Sequence, residues 1–261
     1  MKIGYIQTSP LFGEKERNLA AVDEMLKGVT ADLIVLPELF ATGYTVTSFE
    51  EVVGFAEDVD DLTSRFLCRK SMDTGATVVA GFIEREENSY YNSSLIISSG
   101  KIIGTYRKLH LFFKEKHFFN PGNRPLEVYS LNGIKIGVMI CFDWIFPEVS
   151  RVLALKGAQV IAHPSNLVMP WCQQSMQTRC LENRVFAVTA NRVGTERRGE
   201  DENRFTGGSQ ITSYNGEILV TGPSDSSSMN FIDIDPFQAD NKMINPFNSV
   251  ISDRRTEFYV L

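Results

Sequence analysis

The chain has 261 residues, 43% of them hydrophobic and 22% charged. That is an ordinary globular composition, long enough to bury a sizeable core without staples, and it excludes a collagen, a coiled coil or a mainly disordered chain. The 26 Lys+Arg against 32 Asp+Glu leave a net charge of −6, which disfavours a phosphate-backbone binder, because such proteins carry a basic surplus or stripe.

Residues 2–8 read as a strand, and residues 14–27 carry Leu19, Val22, Met25 and Leu26 at helical spacing. The run Leu33-Ile34-Val35-Leu36 is short, apolar and β-branched, as a strand covered on both faces should be, and it ends at Pro37-Glu38. A helix over 61–73 and a buried strand over 78–83 follow. Ser94–Ile97 and Ile102–Tyr106 then flank a Ser-Ser-Gly-Lys turn, which predicts a hairpin. The stretch from Leu109 to Pro125 reads as non-helical and is long enough to suggest function.

Farther on, Lys135–Ile140 forms a strand that delivers Cys141. Pro147 suits the first turn of a helix running through Leu155. A strand over 160–163, a helix over 172–183 and a strand over 185–190 come next. The last third is mostly short strands, with a Tyr-Asn-Gly hairpin signal at 214–216. Strand–helix alternation plus hairpins implies a mixed sheet with helices on its faces; periodicity leaves open whether there is one sheet or two. No repeat and no dividing linker is evident.

No apolar run approaches the roughly 18 residues of a membrane span, and the N-terminus lacks a signal-like apolar region. Cys68, Cys141, Cys172 and Cys180 form no C-x-x-C motif and no zinc-like pairing with His110, His117 or His163. The expectation is a cytoplasmic protein with reduced thiols and neither metal nor organic cofactor.

Three polar residues interrupt or end apolar strands, where ligands bind in open α/β sheets. Glu38 follows Leu-Ile-Val-Leu-Pro, and an acid against Leu39 and Phe40 suits a general base. Lys108, in Tyr-Arg-Lys-Leu-His-Leu-Phe, is either a surface lysine or a positive charge for a developing oxyanion. Cys141 ends a strand just before a helix start, where backbone N–H groups and the helix N-terminus favour a thiolate nucleophile. Together they form a coherent set: a carboxylate takes the thiol proton, the sulfur attacks an electrophilic carbon, and lysine holds the resulting negative charge.

At these segments the sequence resembles the nitrilase superfamily of carbon–nitrogen hydrolases, in an amidase-like branch. The pieces are Leu36-Pro37-Glu38-Leu39-Phe40 with Thr42-Gly43-Tyr44, Tyr106-Arg107-Lys108 with His110-Leu111-Phe112, and Gly137–Cys141 with Asp143 and Pro147-Glu148. Asn120-Pro121-Gly122, Ala162–Asn166 and Glu182-Asn183-Arg184 are weaker echoes. The resemblance implies a four-layer αββα sandwich of two mixed sheets covered by helices, one domain over 1–261. It implies a homodimer or higher homo-oligomer packed through the helices after Pro147 and around 172–183, with the segment about 236–261 extending over the partner.

The same resemblance implies a Glu38–Lys108–Cys141 triad working through a thioester, with the Phe142 backbone N–H assisting Lys108. Glu115, seven residues beyond Lys108, takes the place of a second glutamate that positions substrate. Tyr44, Phe142, Trp144, His163 and Asn166 become candidate substrate contacts, whereas Trp171 is a weaker one. A Cys141–His163 pair would instead suggest papain-like chemistry; Pro164 directly after His163 favours a supporting role in the site wall.

Members that act on carboxylate-bearing substrates often place arginine two to four positions after the cysteine. Asp143, Trp144 and Ile145 stand there instead, and an apolar wall rejects an unpaired carboxylate. The substrate reading is a small neutral or aliphatic amide, releasing ammonia. A small aliphatic nitrile is an alternative, as is a carbamoylated amine if Asp143 faces a cationic tail, although capping is the simpler role for Asp143. Rivals are acyl transfer to an amine, a glutaminase domain, and a non-catalytic ligand-binding protein on the same fold.

Overall fold

The computed structural model describes residues 1–131 and 133–259. The first half contains β1 (Lys2–Gln7), α1 (Lys15–Met25), β2 (Leu33–Val35), α2 (Phe49–Phe55), α3 (Leu62–Thr74), β3 (Thr77–Glu86), β4 (Ser89–Ser98), β5 (Lys101–Arg107) and α4 (Glu115–Phe118). The second contains β6 (Val128–Leu131), β7 (Ile134–Val138), α5 (Pro147–Leu155), β8 (Val160–Pro164), α6 (Cys172–Asn183), β9 (Phe186–Ala190), β10 (Thr195–Arg198), β11 (Asp201–Arg204), β12 (Gln210–Thr212), β13 (Ile218–Thr221) and β14 (Ser228–Asp233).

Two six-stranded mixed sheets result, ordered β14-β1-β2-β3-β4-β5 and β13-β12-β9-β8-β7-β6. Each has three parallel strands at its heart, β1-β2-β3 and β7-β8-β9, with antiparallel strands added on both sides. The strand period of two explains how one sheet serves two interfaces. Ile3, Tyr5, Leu33, Val35, Val79 and Ile96 point to the second sheet and share a core with Ile136, Val160, Ile161 and Ala187. Their neighbours Ile6, Ile34, Leu36, Val78, Leu95 and Ile97 pack with Leu19, Val22, Phe66 and Leu67 of α1 and α3. On the far side, α5 and α6 cover the second sheet through Val149, Leu153, Cys172, Met176 and Cys180. The layers are therefore helix, sheet, sheet, helix, and the strands buried on both faces are the continuous apolar runs of the sequence.

Two local readings change. The stretch from Leu109 to Pro125 contains one helical turn, α4, closed at its start by the Phe112 N–H donating to Glu115 Oε2 at 3.0 Å. Helix α2 has no counterpart in the apolar periodicity, because Phe49 and Val53 are exposed. Ser48 caps it by accepting from the Glu51 N–H, while Glu51 Oε2 accepts from the Thr47 N–H.

The C-terminal segment is tied to its own chain as far as residue 250. Lys242 Nζ donates to the carbonyls of Asn183 and Arg184 at 3.0 and 2.9 Å, and Arg151 donates to the carbonyl of Val250. Positions 260 and 261 of the segment assigned above to the partner lie outside the described residues. Among the described residues, no helix is long and apolar enough to cross a membrane.

Leu33 is fully buried between the sheets. Leu33→Ala should lower the unfolding free energy by about 2–5 kcal/mol, read as a shift in the urea midpoint at unchanged slope. A loss no greater than that of an exposed position would overturn the two-sheet core.

Candidate active site

The carboxyl ends of strands from both sheets converge on one buried polar cluster. Glu38 follows β2 and Lys108 follows β5, both from the first sheet, while Cys141 follows β7 of the second. Glu38 and Lys108 are fully buried and Glu115 nearly so. Lys108 Nζ donates to Glu38 Oε1 and to Glu115 Oε1, each at 2.7 Å. Asn92 Nδ2 donates to the same Glu38 oxygen at 2.7 Å, and Tyr44 donates its hydroxyl proton to Glu115 Oε1 at 2.7 Å. Glu38 Oε2 is buried with no hydrogen-bond partner among the described residues.

Close backbone approach makes this possible. Gly81 N–H donates to the Pro37 carbonyl, and a Cβ at Gly81 would lie 2.6 Å from Glu38 Cα and from Leu39 N. Gly122 N–H donates to the Lys108 carbonyl, and a Cβ there would lie 2.3 Å from the Arg107 carbonyl oxygen. The neighbouring Arg107 is also buried, and its Nε donates to Glu84 Oε2 at 3.0 Å. The Arg107-Lys108 pair is therefore not a solvated face; each cation has carboxylates of its own.

Cys141 opens a 3-10 turn, Cys141–Ile145, and has a backbone φ of +42°. Leu39 beside Glu38 and Phe113 beside the Glu115 turn are left-handed too, at +48° and +47°. Such non-glycine residues store strain and persist where surroundings over-determine them, commonly at functional sites. His163 Nε2 faces the carbonyl of Cys141 at 2.9 Å, and its Nδ1 faces Thr189 Oγ1 at 3.1 Å. A carbonyl only accepts, so Nε2 carries the proton and Nδ1 accepts from Thr189. His163 thus props the cysteine backbone from behind rather than pairing with its sulfur, and the papain-like reading loses its geometry. The first-turn N–H of Phe142 has no acceptor within its own turn. Asn166 Nδ2 donates to the Glu38 carbonyl at 2.8 Å.

Burial opposes the charge on Lys108, but Glu115 and Glu38 more than offset it and hold the ammonium well above its ordinary pKa. Burial pushes the Glu115 carboxyl up, against the pull of Lys108. It also pushes the Cys141 thiol well above its ordinary value, helped by Glu38 and Glu115 and opposed by Lys108. The helix-start argument for a resting thiolate therefore gives way to desolvation.

A cavity of about 110 Å³ opens beside Cys141 and Asn166, walled by Phe112, Phe142, Trp144, Ile145, Leu167, Val168, Met169 and Trp171. Phe142, Trp144 and Asn166 thus meet at one pocket with Cys141, and Trp171 joins them at the rim, 53% exposed. Tyr44 and Glu115 line a second cavity of about 90 Å³ that shares Phe112 with the first. Asp143 lines neither of these two cavities. It is fully buried, and its oxygens accept from the Tyr106 hydroxyl, His110 and the Ile140 N–H. It caps the turn, so the capping role expected of Asp143 holds and the contact with a cationic tail does not. Asn92 escaped the sequence reading, although an asparagine inside a buried strand is unusual enough to have marked it. Leu167 and Met169 carried no such signal.

The chain matches the family model described as carbon-nitrogen hydrolase over residues 2–240. It is 43% identical over 263 residues to a protein named nitrilase from Pyrococcus abyssi, with 99% of each chain covered. It is 31% identical over 230 residues to an (R)-stereoselective amidase from a Pseudomonas species, covering 86% of this chain and 82% of that one. The fold superposes on a carbon-nitrogen hydrolase from Helicobacter pylori with a TM-score of 0.90, at 24% identity over 99% of this chain and 97% of that one.

Burial lowers the His163 pKa from its ordinary 6.5 to about 4. The unfolded chain binds that proton first as pH falls, so the stability tied to neutral His163 is intact above pH 6.5 and lost on descending to about 4. The contribution is roughly 3 kcal/mol. Urea unfolding of the wild type should weaken across that window, and His163→Gln should flatten the dependence. An equally steep acid limb in the variant would show that His163 is not the group responsible.

Proposed function

Since the chain belongs to the carbon–nitrogen hydrolase family, we propose that it hydrolyses small, uncharged, apolar carboxamides to carboxylic acid and ammonia, with Glu38, Lys108 and Cys141 performing the chemistry and Glu115 positioning. The observation that carries this reading is Glu38 Oε2, which has no hydrogen-bond partner among the described residues. One Glu38 oxygen is fixed by Lys108 and Asn92, leaving the other free to receive a proton.

In the first half-reaction, Glu38 takes the Cys141 proton as the sulfur bonds to the carbonyl carbon. The oxygen, now negative, is held by the Lys108 ammonium and the Phe142 N–H, donors already in place before charge develops. The intermediate collapses when the amide nitrogen leaves as ammonia, carrying the proton that Glu38 returns. Water then attacks the thioester, gives a proton to Glu38 and releases the acid, and that proton returns to sulfur. Glu115, bonded to both Lys108 and Tyr44, orients the ammonium and the amide nitrogen.

The walls of the cysteine cavity carry no charged side chain. A carboxylate or ammonium lowered into them would lose hydration without a partner, at a cost of several kcal/mol. A nitrile is the second reading, favoured by the name of the Pyrococcus abyssi relative. Attack on the nitrile carbon would give a thioimidate, and two waters would be consumed instead of one. Because the nucleophile is a free thiol, a reducing cytoplasmic setting belongs to the reading. A second copy of this chain suits the exposed Ile145, Leu155, Trp171 and Leu181 around α5 and α6.

Ammonia release from butyramide, isobutyramide, succinamate, propionitrile and N-carbamoylputrescine tests this. The neutral amides, or the nitrile under the second reading, should turn over at least about 100-fold faster in kcat/KM than the charged compounds. Cys141→Ala and Lys108→Ala should each reduce turnover by about 10³-fold or more, and intact-mass analysis should catch an acyl group on Cys141. Undiminished turnover by Cys141→Ala would refute the thioester route. Binding of an amide with no ammonia from any compound would favour a ligand-binding protein.

A further inference from the structure

Cys141 holds its sulfur in place through a strained backbone, so something must keep the backbone there. Part of the restraint is His163, bonded to the Cys141 carbonyl. The other part is Asp143. Its Oδ2 accepts from the Ile140 N–H at 2.9 Å, and its own N–H donates to the Ile140 carbonyl at 3.0 Å, so both polar groups of the residue before the cysteine are fixed. The peptide group that sets the cysteine φ therefore has little freedom to rotate.

The same carboxylate reaches across to the first sheet. Oδ2 also accepts from the Tyr106 hydroxyl at 2.7 Å, while Oδ1 accepts from the His110 N–H at 3.1 Å and faces His110 Nδ1 at 2.8 Å. Tyr106 and His110 flank Lys108 by two residues on either side. His110 is steadied in turn by stacking on Phe146, with ring centroids 3.6 Å apart and planes within 15°. One buried carboxylate thus grips the backbone beside the nucleophile and both sides of the lysine. Direct backbone pairing between β5 and β7 cannot do this, because they belong to different sheets.

We propose that Asp143 is a positioning residue that sets the separation of the Lys108 ammonium and the Cys141 sulfur, through Tyr106 and His110 on one side and the Ile140 peptide on the other. The inference rests on the reading of Cys141 as nucleophile. Asp143 touches no reacting atom. Its four donors are what a carboxylate accepts, and an amide in its place must turn an NH2 toward at least one of them. Displacements well under the size of an atom are sufficient, since a misplacement of about 1 Å can cost 10²-fold in rate.

Asp143→Asn should lower kcat by about 10²-fold with KM changed by less than about threefold. Turnover is to be counted per Cys141 that iodoacetamide can alkylate, as measured by intact mass, so that misfolded protein does not enter the count. The rate of that alkylation should fall by about tenfold or more, as in Lys108→Ala, because both changes move the ammonium away from the sulfur. A merely structural role would lower the melting temperature and leave kcat per site and the alkylation rate unchanged. Tyr106→Phe removes one donor only and keeps the test open should Asp143→Asn fail to fold; it should lower kcat by about three- to tenfold. Wild-type kcat and alkylation rate in every folded variant would overturn the proposal. Retained hydrolysis by Cys141→Ala would instead sink the nucleophile reading, a separate result.

Discussion

One ammonium shared by two carboxylates governs this molecule. Lys108 is fully buried, and so is Glu38, with Glu115 nearly so. Moving three ionisable groups out of water is unfavourable unless each finds opposite charge and hydrogen bonds in good geometry. Here every donor distance to those carboxylates from Lys108, Asn92 and Tyr44 is 2.7 Å. That tolerance constrains the end of β2, the end of β5 and the turn at Glu115 together. It also explains the glycines at 81 and 122, where a single added carbon would push the Glu38 loop or the lysine strand out of register.

The count of charges has a chemical consequence. Two carboxyl groups share one ammonium, and burial, Glu38 and Glu115 push the Cys141 thiol well above its ordinary pKa against the pull of Lys108. The thiol therefore rests protonated. A permanently ionised sulfur would be a weaker general solution here, because it would sit among carboxylates and hold the lysine to itself. Under the proposed mechanism the roles separate: lysine remains available for an oxyanion, and charge appears on sulfur only as it is transferred to substrate.

Much of the fold was legible because the interior strands are covered on both faces. Leu33–Leu36, Val78–Ile83 and Val160–His163 carry the continuous apolar runs that such burial requires, and Pro147 marks a helix start by its missing N–H. Whether there was one sheet or two was not legible, since a strand facing a helix and a strand facing another sheet need the same residues. Helix α2 was missed because its stability comes from caps, in the Ser48-x-x-Glu51 pattern, rather than from an apolar stripe. In the site, Glu38, Lys108 and Cys141 stood out as polar groups ending apolar strands. Asn92, Tyr106 and the cavity walls at Leu167–Met169 did not, because their importance lies in contacts between segments far apart in the chain.

On the proposed reading, the two sides of the site are chemically opposite, and that contrast orients the substrate. Glu38, Lys108, Glu115 and Tyr44 form the polar side. Trp144, Ile145, Leu167, Val168 and Met169 form the apolar side, and Cys141 lines the same cavity. A C–N group bound as proposed turns to the polar side to satisfy its donors and acceptors, which leaves its carbon substituent for the apolar wall. Asp143 offers a charged substituent no partner, because it spends its carboxylate on Tyr106, His110 and the Ile140 peptide. On the proposed reading, Asp143 does not serve the substrate as a counter-charge but joins the segments that carry Lys108 and Cys141.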